Sequence, residues 1–182
     1  MPLEDDAHGH PPPAPEDTPA PQGREDRFLD DYLLFLLASV SAAASEEFHA
    51  IVRAHGLKVP EWRVLACLHD RDGQMVTRLA ALALMEQSRL TRVLERMDER
   101  GLISRRGDAD DRRRVRVHLT AKGAALAQNM VAQARAHEAR TLALLPAARA
   151  RQLKATLRRM QELLGAVTPT QHDEPDGDTS AS

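Results

Sequence analysis

Only one cysteine, Cys67, stands among the 182 residues, so no internal disulfide can form and a reducing cytoplasm is the expected setting. Aromatic residues are scarce as well, with one Trp, one Tyr and three Phe. Glycine and proline are thin beyond the first 23 residues, which hold seven of the 11 prolines. That leaves few turn signals in the middle, where Leu, Ala, Arg and Glu favour helices. The N-terminus has acids and prolines where a secretory leader would have a basic and then an apolar segment. The longest uncharged stretch, Tyr32 to Ser45, is short and Ser/Ala-rich for a bilayer span, so a soluble protein without a membrane partner is expected. HExxH, CxxC and P-loop patterns are missing, and the eight histidines are scattered. His49 and His55 are six apart and do not stack on one helical face. No enzyme, metal site or cofactor is therefore expected.

Charge is distributed unevenly. The net value of −2 conceals nine acids against two arginines in residues 1–31, and four acids with no Lys or Arg in residues 165–182. Residues 32–164 between them carry 23 Lys and Arg against 14 Asp and Glu, a net of +9. A basic body between acidic ends suits a polyanion partner, although a charge excess of this size also occurs on ordinary solvated surfaces.

Residues 1–25 read as a disordered, acidic, Pro-rich extension and residues 168–182 as a disordered tail. Between them the pattern is mainly helical, with a small β-hairpin. A first helix is expected from Asp26 to about Ala54, closed by His55–Gly56. Phe28, Leu29, Tyr32, Leu33, Phe35, Leu36, Leu37 and Val40 make it apolar on more than one face, which implies burial against a partner as well as its own domain. A second helix starts at Val59–Pro60 and runs to about His69, with a turn at 71–74. A short third helix covers about Thr77 to Ala83, and a fourth runs from Gln87 to Arg100 and stops at Gly101. The period then changes. Leu102 and Ile103 begin a strand, GDADD at 107–111 is turn-like, and Val115, Val117 and Leu119 alternate with Arg116 and His118. Thr120 caps a long helix to about Leu145, and Pro146 precedes a last helix with Leu153, Leu157, Met160 and Leu164 on one face.

The fourth helix carries the functional signal. At about 100° per residue, Leu90, Val93, Leu94 and Met97 share one face. Ser88, Thr91, Arg92 and Glu95 lie opposite, with Arg89 and Arg96 at the margin. An apolar back with an Arg, Ser and Thr front is what a helix lying in the DNA major groove requires, because arginine can donate twice to guanine and small hydroxyls can meet base edges or phosphates. Gln87, Ser88, Arg89, Thr91, Arg92 and Arg96 are the candidate contacts. A solvated helix with scattered arginines would look similar in isolation. The hairpin adds Arg112, Arg113 and Arg114 beside its turn, where a protruding guanidinium can enter a narrow minor groove.

Three stretches, PEWRVLACL (60–68), SRLTRVLERMDERGLISRR (88–106) and DADDRRRVRVHLTAKG (108–123), resemble the MarR family of winged-helix regulators over about residues 28–164. The resemblance implies a winged helix-turn-helix lobe at about 60–119, within a single domain at 26–167. The dimerisation helices would lie at about 26–55 and 120–165. It implies that Asp111 braces Arg113 in a wing salt bridge, that Arg113 reaches the minor groove, and that a homodimer binds a pseudo-palindromic operator on double-stranded DNA. It further implies a repressor released by a small aromatic or phenolic ligand, for which Ser39, His49, Trp62 and Arg63 are the candidate lining residues. An arginine and a histidine beside an aromatic ring suit a carboxylate or phenolate. A ligand-independent DNA-binding regulator, or a helical protein-interaction module using the apolar first helix, remain the alternatives. Cys67 reads as a small core residue.

Overall fold

The computed structural model describes residues 27–107 and 115–168. The N-terminal extension, the wing residues Asp111, Arg112, Arg113 and Arg114, and the tail from residue 169 lie outside the described residues. The chain divides into two compact units, Met1–Ser39 and Val40–Ser182.

In the first unit the expected single helix is broken. A four-residue helix, α1 (Phe28–Asp31), ends at Tyr32, whose ψ of 106° is not helical, and α2 (Leu33–Ala54) begins after it. The Leu36 N–H donates to the Tyr32 carbonyl at 3.1 Å, which restarts the helical ladder. No Gly or Pro marks this break. One turn of helix is too short to hold by itself, and here the Tyr32 ring stacks on Phe28 with centroids 4.7 Å apart. Phe28, Leu33, Leu34 and Phe35 are exposed. By length and composition α2 could cross a membrane. Its C-terminal part argues otherwise, since it carries Glu46 and Glu47 and buries Phe48 and Val52 in a protein core.

The second unit holds that core. After α2 come α3 (Val59–Asp70), β1 (Gln74–Met75), α4 (Val76–Leu82) and α5 (Gln87–Glu99). They are followed by β2 (Ile103–Gly107), β3 (Val115–Leu119), α6 (Ala121–Leu142) and α7 (Ala147–Leu163). The β-hairpin expected from the alternation is present, antiparallel, with Ile103 opposite Leu119 and Arg105 opposite Val117. The sheet has a third strand where a turn was expected. Gln74 and Met75 pair with Val117 and Arg116, giving the order β1-β3-β2. Two residues cannot display an alternation, so this strand is set by its pairing with β3 and not by a local pattern. The fold is mainly α with a small wing sheet, as the sequence implies.

Helix ends follow the local chemistry. Thr120 Oγ1 accepts from the Gly123 N–H at 3.0 Å and caps α6. Gly101, at a φ of +65°, lets the Leu102 N–H reach the Met97 carbonyl and the Gly101 N–H reach the Asp98 carbonyl, which closes α5. The core joins Val52 of α2, Val64, Leu65 and Leu68 of α3, Leu79 of α4, Val117 of β3, and Ala127 and Met130 of α6 around the inner face of α5.

Candidate nucleic-acid interface

The helix pair α4–α5 and the sheet behind it form one face. Leu90, Val93, Leu94 and Met97 are at most 1% exposed, so α5 is clamped along its whole inner side. Gln87, Ser88, Arg89, Arg92 and Arg96 are exposed and Thr91 is half-buried, so every α5 residue expected at the groove lies away from the buried back. Thr91 Oγ1 donates to the Gln87 carbonyl at 3.0 Å, as hydroxyls within helices commonly do. Beside Gln87 and Thr91 opens a cavity of about 360 Å³ with an apolar floor of Met75, Val76, Leu94 and Val115.

The base of the wing is tied to the α3–β1 turn. Asp72 Oδ1 accepts from the Leu119 N–H at 2.8 Å, and Asp72 Oδ2 lies 3.0 Å from His118 Nδ1. Arg116 donates to the Gly73 carbonyl at 3.0 Å from the same strand. These bonds hold β3 against that turn along most of its length. On β2, Arg105 pairs with Asp98 of α5 at 3.2 Å, which turns its guanidinium toward α5, while Arg106 is exposed.

Of the residues expected to line a ligand pocket, Trp62, Arg63 and Ser39 each have their own partners. Trp62 packs edge-on against Phe48 at 5.3 Å between centroids, and Phe48 meets His137 of α6 at 5.5 Å. Arg63 is exposed and directs its guanidinium to the Ala83 carbonyl, at 3.5 Å, in the turn between α4 and α5. His49 is half-buried on α2. Ser39, in the first unit, donates to the Leu36 carbonyl one turn back on its own helix. The aromatic cluster borders a groove of about 270 Å³ between α2 and α6, lined by Ser41, Ser45, Phe48, His137 and Thr141. Phe48 and His137 are 89 positions apart, on helices whose local patterns contain no hint that they meet.

A model of the MarR family matches residues 57–115, from the turn before α3 to the first residue of β3. The HTH-type transcriptional repressor Rv2887 of Mycobacterium tuberculosis is 34% identical over 137 residues, which is 75% of this chain and 96% of that protein. The crystal structure of the MarR family transcriptional regulator SPO1453 from Silicibacter pomeroyi is 54% identical, with a TM-score of 0.70 over 76% of this chain and 99% of the other. The chain belongs to the MarR family of transcriptional regulators. The crystal structure of Rv2887 in complex with salicylic acid is also similar, at 32% identity and a TM-score of 0.59 over 70% and 95% of the two chains.

In this MarR-family chain α4 and α5 are therefore the helix-turn-helix and β2–β3 the wing. Two features of the face escaped the sequence reading: the exposed Arg106, and Thr77 in the first turn of α4 beside Gln87. Arg106 lies one residue before the end of β2 and Thr77 is the second residue of α4, where no periodicity singles them out. Cys67 is half-buried against the core. Burial pushes its thiol up to about 11, with the Asp70 carboxylate adding to the effect, so near neutral pH it stays protonated and a poor nucleophile.

Proposed function

We propose that this regulator is a cytoplasmic homodimer that binds duplex DNA sequence-specifically, represses transcription, and leaves its operator when a small aromatic or phenolic ligand binds. The observation that carries DNA binding is α5, with four apolar side chains sealed in the core and Arg89, Arg92 and Arg96 exposed on its other side. Residues 60–119 form the DNA-binding lobe in this reading, and 26–55 with 120–165 form the dimerisation region. Exposed apolar side chains support the dimer: Phe28 and Leu34 in the first unit, and Val40, Leu144, Leu163 and Leu164 in the second, are each 60–83% exposed in a single chain. A second copy would cover such surface in an obligate interface above roughly 2,000 Å². Sedimentation should then give a dimer at micromolar concentration.

The arginines have separate roles. Arg92→Ala should cost about 1–3 kcal/mol and relax preference at one base pair in each half-site, because a bidentate contact to a base edge discriminates by that much. Arg113→Ala should weaken binding through the wing while leaving the dimer intact, and Asp111→Ala should do the same more mildly. Fluorescence anisotropy on duplexes recovered by selection from genomic fragments reads both effects. Unchanged affinity for Arg92→Ala at moderate salt would remove α5 from the groove.

The ligand reading rests on the salicylic acid complex of the related Rv2887 and on the groove beside Phe48 and His137. Release requires tighter ligand binding to the DNA-incompetent arrangement. A tenfold loss of operator affinity corresponds to a coupling of about 1.4 kcal/mol, and the operator must weaken the ligand by the same factor. Calorimetric titration of salicylate and other aromatic acids, with and without operator, measures both sides. Trp62 is the only tryptophan and packs on the Phe48 that lines the groove, so its fluorescence should change on binding. Equal ligand affinity with and without operator excludes a sensor of this class.

A further inference from the structure

Glu61 of α3 is 2% exposed, one of the few charged or polar residues buried among the described residues. Its Oε2 accepts two hydrogen bonds, from the Lys58 N–H at 2.8 Å and from Arg100 Nη1 at 3.0 Å. The second nitrogen of the Arg100 guanidinium donates to the Gly56 carbonyl at 3.0 Å, in the turn joining α2 to α3. Arg100 itself is the residue that ends α5. Its backbone carbonyl accepts from Lys122 Nζ, at 2.9 Å, in the first turn of α6. A single residue at the end of the DNA-facing helix is thus bonded to the end of α2, to the start of α3 and to the start of α6.

A buried carboxylate paired with one partly exposed arginine is a poor way to gain stability, because the desolvation of the charge offsets much of the attraction. What it supplies is direction. The planar guanidinium fork holds two acceptors on different elements in a fixed geometry, whereas the three donors of an ammonium rotate on a flexible stem. We propose that Glu61 and Arg100 form a latch that sets the angle of α5 relative to α2 and α6, making both positioning residues for the distance between the two recognition helices of the dimer. This rests on the DNA-binding dimer proposed above. A helix of 13 residues is about 20 Å long, so play at its Arg100 end displaces the reading turn at Gln87 and Ser88. Two half-sites read by one rigid dimer must sit about one helical turn apart, and a loosened latch lets the dimer accept other separations.

The test compares duplexes selected by the wild-type protein with the same duplexes carrying one or two base pairs inserted at the centre. Glu61→Gln keeps an oxygen that can accept both bonds, and it should keep the wild-type spacing profile. Glu61→Gln with Arg100→Met leaves no unpaired charge but removes the latch. The wild type should lose about 30-fold or more in affinity per inserted base pair, and the double variant less than about threefold, with its dimer retained. If the double variant does not fold, Arg100→Lys, which keeps the charge on Glu61 and drops the Gly56 bond, should show the same flattening. A spacing profile as sharp as the wild type's overturns the latch, and so does a uniform loss at all spacings, which is what a merely structural role gives. A wild-type protein that binds no duplex at all overturns the DNA-binding reading itself, and the latch falls with it.

Discussion

Raising salt from about 50 to about 200 mM is expected to weaken operator binding by about 10³-fold or more, the largest single effect any simple change of condition should have on this protein. The chain exposes Arg89, Arg92 and Arg96 on α5 and Arg106 on β2. The sequence adds Arg112, Arg113 and Arg114 at the wing. If half of these meet phosphates, a dimer neutralises about 6–8 charges, and each displaces roughly one condensed counterion. The log of the binding constant should fall linearly against log salt with a slope of about −6. Arg113→Ala should reduce that slope by about two for a dimer, one per wing, whereas a loss of base reading alone leaves the slope near its original value. Measuring anisotropy across at least four salt concentrations gives the slope directly. A slope near zero would mean that the arginine face does not meet a nucleic acid, and that the basic excess of residues 32–164 is an ordinary solvated surface.

That face was visible in the sequence because its signal is local. The repeat of Leu90, Val93, Leu94 and Met97 spans eight residues of one helix, and all four are buried. Thr120 at the start of α6 and Gly101 at the end of α5 are likewise signals that act within a few residues. The features that escaped are those whose cause lies elsewhere in the chain. Gln74 and Met75 are a strand only because β3 lies beside them. Glu61 and Arg100 are 39 residues apart and no local pattern pairs them, yet one is buried and the other holds it. The break at Tyr32 carries no Gly or Pro. Trp62 was expected beside Arg63 and His49 as neighbours of a ligand. Its ring instead packs on Phe48, and Arg63 reaches toward the α4–α5 turn. Adjacent residues on a helix diverge by about 100°, so closeness in sequence is a poor guide to a shared pocket.

Gly123→Ala should reverse the usual rule that alanine stabilises a helix. Gly123 is buried in the first turn of α6, and its conformation there is helical. In an exposed helix the change would gain about 1 kcal/mol from propensity. At this site a Cβ would stand 1.9 Å from the Leu102 carbonyl oxygen and 2.9 Å from its carbon, both of them backbone. The Leu102 backbone has little room to retreat. Its N–H is bonded to the Met97 carbonyl at 2.9 Å, its oxygen accepts from the Thr120 N–H at 3.1 Å, and its side chain is 1% exposed. Either α6 must lift off the turn that follows α5, or α5 must move with that turn. Overpacking against a flexible side chain commonly costs 1–3 kcal/mol, and here backbone must yield on both sides, so a net loss of at least about 3 kcal/mol is expected. For a chain of this size that is a fall of about 10 °C in Tm at fixed protomer concentration. Ala125→Gly, at an exposed position of the same helix, should cost only about 1 kcal/mol and serves as the control. Because Leu102 follows directly on α5 and Gly101, the surviving folded fraction of Gly123→Ala should also bind operator more weakly, whereas Ala125→Gly should bind as the wild type does. A Gly123→Ala protein that melts at or above the wild-type temperature would show that α6 does not approach the Leu102 carbonyl as closely as its backbone indicates.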